Sequence, residues 1–391
     1  MNTATSSLSP AVPTHRWWAV AAAGLATFSV VTTEMLPVGL LTLIADHFGA
    51  SAGTAGLMIS LPALLAALFA PLVVVAAGGL DRRRILCALL GLLLVANLGS
   101  ALAPGIGWLL AARVLVGFCM GGIWAIAGGL AARLVPPARI GLATSIIFGG
   151  VAAASVLGVP LGAMIGEALG WRWAFVAMAV FSGLVLLMHL RVVPALPVEG
   201  SVRARQFLQQ LGNRGLRMGL LLTLLLVAAH FVAFTYVRPL LVTLAHVDAA
   251  WIGGLLFAYG MAGILGNFIV GPLAARRPRG LLLAIALGLL LTPLLLLWVG
   301  GTPAGGVAVL LLWGLAYGGV SVGLMTWMMK AVPRAVEIAT ALYVGVFNIG
   351  IALGAWAGGL LVDGLGLQAN LWVAVGLAAM ATVVVMGRRR Q

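Results

Sequence analysis

Residues 143–170, ATSIIFGGVAAASVLGVPLGAMIGEALG, and residues 339–366, ATALYVGVFNIGIALGAWAGGLLVDGLG, align without a gap at an offset of 196 residues. The two copies share an Ala-Thr start, several glycines and an acidic residue near the end, Glu167 or Asp363. A repeat of this kind indicates that the chain contains two parallel copies of one structural unit.

The composition is that of a membrane protein. Of the 391 residues, 63% are hydrophobic and 8% are charged, a balance outside the range of soluble globular domains. Because about 20 apolar residues cross a bilayer, apolar segments of that size predict transmembrane helices. Twelve such segments, numbered spans 1 to 12 in chain order, are predicted at 17–41, 54–78, 85–103, 107–132, 140–166, 173–190, 217–241, 250–274, 280–299, 306–329, 338–362 and 370–387.

The repeat divides the twelve spans into two sets of six with the same orientation. We therefore predict an all-α membrane protein of two parallel six-helix halves, a plan that places a substrate site between the halves. The first residues lack the basic region of a cleaved signal. The predicted parts are a disordered cytoplasmic tail (1–15), an N-terminal bundle (16–190), a cytoplasmic connector (191–216), a C-terminal bundle (217–387) and a cytoplasmic tail (388–391).

The net charge is +14, and the distribution of the basic residues along the chain indicates the membrane topology. If the N-terminus is cytoplasmic, every Lys and Arg except Arg113, Arg172 and Arg238 falls on the cytoplasmic side. This bias predicts a multi-pass protein of a bacterial-type inner membrane with both termini in the cytoplasm. We expect a monomer with a lipid bilayer and a small molecule as partners, and no nucleic acid.

Residues that could bind a metal or perform catalysis are scattered. Cys87 and Cys119 both lie in predicted spans, so we expect them to pack rather than form a disulfide or hold a metal. Neither a metal-spaced His/Cys cluster nor paired intramembrane carboxylates occur in the sequence. We therefore expect no enzymatic activity, no metal and no cofactor apart from a coupling proton.

Glu34 is the only one of the eight carboxylates inside a long apolar segment. An ionised carboxylate at that depth costs several kcal/mol unless it is paired or hydrated, and such groups often carry protons. Pro37 removes the backbone donor that the Thr33 carbonyl would have received, and Gly39 loosens the helix further. The sequence therefore predicts a break in span 1 beside a protonatable side chain.

Arg113 lies in span 4 at a similar depth. It is about six residues from the outer end of its span, as Glu34 is from the outer end of span 1, so both lie roughly 9 Å deep. Two unpaired buried charges would be costly, so we predict a Glu34–Arg113 ion pair. The cation favours the ionised carboxylate and burial favours the protonated one, a balance that suits a switchable proton site.

Small residues recur every four positions along span 5 and predict close contact with another helix. The stripe consists of Gly150, Ala154, Gly158, Gly162 and Gly166, with Pro160 inside it.

The loop between spans 2 and 3 contains Asp81-Arg82-Arg83-Arg84. The arginines fit a plain positive-inside cluster. Asp81 does not fit that explanation, so it is a candidate for a specific contact.

These stretches resemble motifs of the major facilitator superfamily, and more narrowly of the twelve-span drug/proton antiporter family in its sugar-efflux, purine nucleoside-efflux and multidrug-efflux branch. Residues 33–40 are similar to the stretch with the family's acidic residue in helix 1. Residues 113–117 resemble motif B, 158–162 resemble the antiporter motif C, and 81–84 resemble a shortened motif A.

The resemblance implies roles for three groups of residues. It implies proton coupling, an antiporter motif in helix 5, and a cytoplasmic charge latch in which Asp81 meets an arginine or the start of helix 11. The residues concerned are Glu34 and Arg113 for coupling, Gly150, Gly158, Pro160 and Gly162 for the motif, and Asp81, Arg82, Arg84 and Arg133 for the latch.

Helices 1, 4, 7 and 10 line the cavity in this superfamily, so aromatic and amide side chains near them are candidates for substrate contact. For His230, packing and substrate contact are equally good interpretations. The candidates are Thr33, Pro37, Trp124, His230, Tyr236, Asn267, Tyr317 and Asn348.

The leading hypothesis is proton-coupled efflux of a small neutral or weakly polar molecule, such as a sugar, a nucleoside or a drug, by alternating access. A facilitator without proton coupling is the nearest alternative. A membrane-embedded enzyme and a transporter-like sensor are more remote ones.

Overall fold

The computed structural model describes residues 14–76, 80–136, 139–197, 209–333 and 336–387. Most of the predicted N-terminal tail, residues 198–208 of the connector and the C-terminal tail lie outside the described residues. The first helix begins at Thr14, so the last two residues of the predicted tail are helical.

Twelve helices are long and apolar enough to cross a membrane among the described residues. Their order matches the twelve predicted spans. The N-terminal half contains α1 (Thr14–Phe48), α2 (Ala52–Ala76), α3 (Arg82–Ala101), α4 (Ile106–Leu134), α5 and α6 (Trp171–Val192), where α5 consists of Ile140–Ala153, a π-helical turn at Ala154–Gly158, and Val159–Leu169. The C-terminal half contains α7 (Arg214–Phe234), α8 (Ile252–Arg276), α9 (Pro278–Val299), α10, α11 (Val336–Leu365) and α12 (Leu367–Met386), where α10 consists of Pro303–Gly318 and Val320–Ala331.

The two copies of the repeat end in the same way. α5 stops before Gly170 and α11 stops before Gly366, and both glycines adopt positive φ, +96° and +87°. Positive φ is easily adopted by glycine and strained for most other residues. The sequence repeat is therefore also a structural repeat, with a sharp turn into the next helix at matched positions.

The glycine stripe packs each repeat copy onto the first helix of its own half. A Cβ on Gly158 of α5 would meet the Thr32 side chain of α1, and a Cβ on Gly354 of α11 would meet Ala228 of α7. Thr32 and Ala228 are themselves 196 residues apart, so the helix register repeats as well. This close approach requires small residues, as expected from the stripe.

The halves meet mainly along two helix pairs, α2 with α11 and α5 with α8. We call the end of the bundle where α1 ends and α2 begins the distal end. The opposite end, where α1 begins and α12 ends, is the terminal end. A break in α10 between Gly318 and Val320, and the π-helical turn of α5 just before Pro160, interrupt two of the helices near the middle of the bundle.

Candidate functional site

The Arg113 side chain replaces the backbone donor that Pro37 removes. Arg113 is fully buried, and its Nη2 donates to the Thr33 carbonyl at 2.6 Å and to the Glu34 carbonyl at 3.1 Å. Its Nε donates to the Met58 carbonyl of α2 at 3.2 Å. The guanidinium thus satisfies the carbonyl left free by the proline, and it joins α4 to α1 and α2.

The predicted Glu34–Arg113 ion pair is not formed in this structure. Glu34 is buried, its Oε1 has no hydrogen-bond partner, and among the described residues no ion pair reaches its carboxylate. The prediction was wrong because equal depth does not decide which acceptor a guanidinium meets. Backbone carbonyls of α2 and α1 occupy Nε and Nη2, respectively, while Nη1 is buried without a partner.

A buried polar network joins α1 to α3 and α6. Asn97 of α3 donates from Nδ2 to the Thr33 hydroxyl at 3.1 Å and to the Ser182 hydroxyl of α6 at 3.4 Å. The Ser182 and Ser29 hydroxyls are 2.9 Å apart. The Thr33 side chain therefore belongs to this buried network. Asn97 was not among the predicted site residues, although an amide inside an apolar span is a signal of the same kind as Glu34.

The C-terminal half contributes a stack of four aromatic rings, which we call the aromatic column. Tyr317 of α10 stacks on His230 of α7 with ring centroids 3.5 Å apart. His230 stacks on Phe234 at 4.6 Å, and Phe234 stacks on Tyr259 of α8 at 4.7 Å. Trp313 meets the edge of the column at His230 and Phe234. Of these rings, His230 and Tyr317 were predicted site residues, whereas Phe234 and Tyr259 were not.

The aromatic column and the buried carboxylate belong to different halves. The column consists of side chains of α7, α8 and α10, whereas Glu34 lies on α1. His230 occupies the position in α7 that corresponds to Glu34 in α1 at the repeat offset. At this matched position, one half thus has a carboxylate and the other has an aromatic ring.

Several polar atoms of Glu34, of the aromatic column and of α11 are buried without a hydrogen-bond partner. Such groups are costly to leave unsatisfied, so a site that retains them is suited to a polar ligand or water. Asn348 of α11 donates to the Val344 carbonyl at 2.9 Å and leaves its Oδ1 free. The unpartnered atoms are Glu34 Oε1, His230 Nδ1, Tyr259 Oη and Asn348 Oδ1.

Other predicted cavity residues lie elsewhere. Trp124 is half-buried and packs against Phe148 in the N-terminal half, and Asn267 is exposed on α8. Tyr236 is fully buried toward the distal end, and its hydroxyl donates to the Ala355 carbonyl at 2.8 Å. Residue type and span number did not specify the direction in which these side chains point. Pro37 is buried inside α1, which is one continuous helix from Thr14 to Phe48, so the predicted break in span 1 is not seen in the structure.

One charged contact at the distal end joins the two halves. Arg238, which follows α7, forms an ion pair with Glu167 of α5 at 2.7 Å. The same guanidinium donates to the Thr42 hydroxyl and, at 3.2 Å, to the Gly39 carbonyl of α1. Arg238 is 3% exposed and Glu167 is 35% exposed, so the pair is half-screened from solvent.

The repeat-related acid makes a second contact of this kind. Asp363 of α11 accepts a hydrogen bond from the Ser51 hydroxyl at 2.6 Å and from the Gly53 backbone N–H at 2.9 Å. Both donors belong to the start of α2, where a carboxylate is electrostatically favoured. Glu167 and Asp363, matched in the sequence repeat, therefore each bind the opposite half.

The predicted latch residues at the terminal end make different contacts. Asp81 caps α3 by accepting from the Arg83 backbone N–H at 2.8 Å, and it also accepts from the Leu196 N–H at 2.9 Å. Arg133 donates to the Pro197 carbonyl at 3.0 Å. Asp81 thus does not meet Arg133, because it directly precedes a helix whose free N–H groups are its nearest donors. No described hydrogen bond or ion pair of Asp81 crosses between the halves.

Sequence comparison finds relatives over nearly the full chain. A sequence model of the Major Facilitator Superfamily matches residues 23–337. The purine ribonucleoside efflux pump NepI of Salmonella typhimurium is 32% identical over 374 residues, which cover 96% of this chain and 94% of that protein. The uncharacterized MFS-type transporter YtbD of Bacillus subtilis is 33% identical over 377 residues, 95% of each chain.

Two further comparisons concern a relative with a regulatory name and a solved structure with the same fold. The transcription regulatory protein OpdE of Pseudomonas aeruginosa is 34% identical over 371 residues, 93% of this chain and 92% of that one. A bacterial homolog of the human lysosomal transporter Spinster, solved in an inward-facing and occupied conformation, superimposes with a TM-score of 0.75. The superposition covers 95% of this chain and 96% of that chain at 17% identity, so it compares folds alone.

Proposed function

Because this chain belongs to the Major Facilitator Superfamily of membrane transporters, we propose that it exports a small neutral or weakly polar molecule in exchange for protons. The two halves would alternate between access to either side of a bacterial inner membrane. The positive-inside bias supports a cytoplasmic location for the terminal end and both chain termini.

The observation that carries the proposal is the state of Glu34. Its side chain is buried, and no ion pair among the described residues reaches its carboxyl group, although the Arg113 guanidinium binds the Glu34 backbone carbonyl. A carboxyl group in such a place is stable when protonated and needs donors or water when ionised. Loss and gain of its proton would therefore change the free energies of the two transport states, which is what coupling requires.

The surroundings of Glu34 support a neutral, partly aromatic substrate. The aromatic column offers flat ring faces, and the unpartnered atoms offer hydrogen bonds to a polar group. A purine ribonucleoside, which is the compound class in the name of the relative NepI, has both a flat ring and hydroxyl groups. A sugar or a lipophilic drug has one of the two. A cationic drug is disfavoured because a single carboxylate serves the site.

The distal contacts support an inward-facing state. Arg238 with Glu167, and Asp363 with Ser51 and Gly53, join the halves at the distal end. With the terminal end in the cytoplasm, these contacts would close the outer side. Efflux would then begin from this state, with the substrate entering from the cytoplasm.

The test uses energised inside-out vesicles and a dye that reports interior acidity. Sugars, purine ribonucleosides and lipophilic drugs are added one at a time, and an exported substrate should release protons and restore the dye signal. Glu34→Gln should abolish the recovery, while the exposed acid on the same helix provides a matched control, Asp46→Asn, that keeps it.

Two outcomes would contradict the proposal. If Glu34→Gln still drives proton-linked efflux, Glu34 has no part in coupling. If radiolabelled substrate crosses the wild-type vesicle membrane at a rate indifferent to the proton gradient, the protein is a facilitator.

The name of the relative OpdE favours a second candidate, a transporter-like regulator. Such a protein would bind a ligand between its halves without net transport. Ligand binding to the purified protein, with no flux in vesicles containing the same protein, would support this function over efflux.

A further inference from the structure

Asn267 is an exposed polar side chain within an apolar membrane helix. It lies on α8 nine residues before Arg276, roughly 14 Å from the terminal end of that helix. Among the described residues, its amide has no hydrogen-bond partner. Because an unpaired amide in hydrocarbon is costly, this position indicates a contact with protein or water rather than with lipid.

Asn267 continues the face of α8 that packs on α5. Gly253 and Gly260 precede it at steps of seven residues, a spacing that returns to nearly the same side of a helix. A Cβ on Gly253 would meet the Met164 side chain of α5, and a Cβ on Gly260 would lie 2.8 Å from the Ser155 carbonyl oxygen. Asn267 is thus the next position on a face that belongs to the interface between the halves.

α5 and α8 pack together over only part of their length in this structure. α8 contacts the π-helical turn Ala154–Gly158 and the segment Val159–Leu169 of α5. The first segment of α5, Ile140–Ala153, does not pack extensively on α8 among the described residues. The two helices are therefore close at the distal side and separate toward the terminal end, where Asn267 lies.

The register of the two helices gives Asn267 a partner position on α5. Between the two glycines of α8, the contact on α5 moves from residues 160–164 to residues 155–156. Asn267 lies one further step of seven along α8, so its neighbour in this register is Gly149. Gly149 is exposed, and a Cβ on it would meet no atom within 4 Å. Bare backbone with open space beside it therefore stands opposite the amide.

An amide that binds the backbone of a neighbouring helix occurs elsewhere in this chain. Asn370 of α12 donates from Nδ2 to the Val232 carbonyl of α7 at 2.5 Å and to the Gly358 carbonyl of α11 at 3.3 Å. Glycine permits such an approach because it has no side chain to cover its carbonyl. Asn267 and Gly149 are the same pair of residue types on two helices that are apart here.

We propose that, in the transport state opposite to this one, α5 and α8 close together toward the terminal end and the Asn267 amide donates to the α5 backbone at Gly149. Asn267 is then a positioning residue that holds the terminal end shut while the distal end is open. This inference rests on the alternation of two states in the proposed function. It depends neither on Glu34 nor on the identity of the substrate.

The test measures opening of the distal end by labelling. In a background lacking Cys87 and Cys119, a cysteine replaces the half-buried Met35 of α1 and reacts from the distal side with a membrane-impermeant maleimide. Asn267→Leu keeps a branched side chain of similar shape and removes the amide. Labelling should fall about threefold, the equivalent of an interhelical hydrogen bond of about 0.6 kcal/mol.

A second pair of variants tests the position on α5. Gly149→Leu fits the open space seen here but fills the gap that must close, so labelling should fall about tenfold. Gly254 of α8 is the matched control, because it is also exposed with no atom within 4 Å of a Cβ. It is turned about 100° from Gly253 and away from α5, so Gly254→Leu should leave labelling unchanged. The melting temperature of each variant checks folding.

The outcomes separate this inference from the proposed function. Unchanged labelling in an Asn267→Leu protein that melts like the parent would overturn the role of the amide. A Gly149→Leu protein that is labelled no less than Gly254→Leu would overturn the partner position. A parent in which Met35→Cys is never labelled would contradict the alternation of two states, and the proposed function together with this inference.

Discussion

Charged side chains at the two ends of the bundle make different kinds of contact. Those at the distal end bind the opposite half, whereas those at the terminal end bind their own half. At the distal end, Glu167 and Asp363 bind donors on the other half. At the terminal end, Asp81 and Arg133 bind the segment just after α6 and stay within the described N-terminal half. The comparison shows that a cluster of charges at a loop does not by itself join the halves.

The chemistry at the two ends is nevertheless alike. The Asp81 side chain accepts from the Arg83 N–H at the start of α3, the helix it precedes, and Asp363 accepts from the Gly53 N–H at the start of α2 in the other half. Both satisfy backbone groups that a helix start leaves free. Only the position of the acid relative to the interface decides whether the contact stabilises one half or one transport state.

The largest effect should come from removing both distal acids. Glu167→Gln with Asp363→Asn removes an ion pair and the charge from two further hydrogen bonds, which should weaken closure by about 1.4 kcal/mol, or about tenfold. In a background lacking Cys87 and Cys119, a cysteine at Met35 is labelled with a membrane-impermeant maleimide from the distal side. The labelling rate should rise about tenfold.

Asp46→Asn is the control for this experiment, because Asp46 is an exposed distal acid that makes no described side-chain contact with the other half. It should leave the rate unchanged. Equal labelling of the double variant and the parent would show that other contacts hold the distal end closed.

A smaller effect is expected from Asp363→Asn alone. The asparagine oxygen can still accept from Ser51, but the favourable charge at the start of α2 is lost at an exposed site, where such terms are about 0.5 kcal/mol. Labelling at Met35→Cys should rise about twofold. A rise as large as that of the double variant would mean that Glu167 contributes nothing to closure.

The smallest effect on closure should come from the terminal end. Asp81→Ala removes the cap of α3 and should lower the stability of the protein by about 1 kcal/mol, seen as a lower melting temperature. Labelling at Met35→Cys should not change. Asp81→Asn retains a capping side chain and should melt like the wild type, and a labelling change in Asp81→Ala would instead support the predicted latch.

Much of the architecture was predictable from linear patterns. The twelve spans follow from hydropathy, and the matched turns at Gly170 and Gly366 follow from the repeat. Pro37, four residues after Thr33, indicates that the Thr33 carbonyl has no backbone donor within its helix. These features depend on distance along the chain, which the sequence states directly.

The candidate site was only partly predictable. Glu34 and Arg113 stood out because charges are rare in apolar spans, and His230 and Tyr317 were selected by span number. Tyr259 escaped notice because a tyrosine in an apolar span carries no spacing signal. The observation that all four tyrosines occur in the C-terminal half could have directed attention to it.

The sequence by itself determined the number of membrane helices, the twofold repeat, the small-residue stripe and the missing backbone donor at Pro37. Tertiary structure alone decided that α1 stays continuous through Pro37, that Arg113 binds carbonyls instead of the Glu34 carboxylate, and that Glu167 and Asp363 join the halves while Asp81 does not. The physical reason is that spans, repeats and missing donors depend on position along a helix axis. Hydrogen bonds depend on how each helix is rotated about that axis, which the packing of all twelve helices sets together.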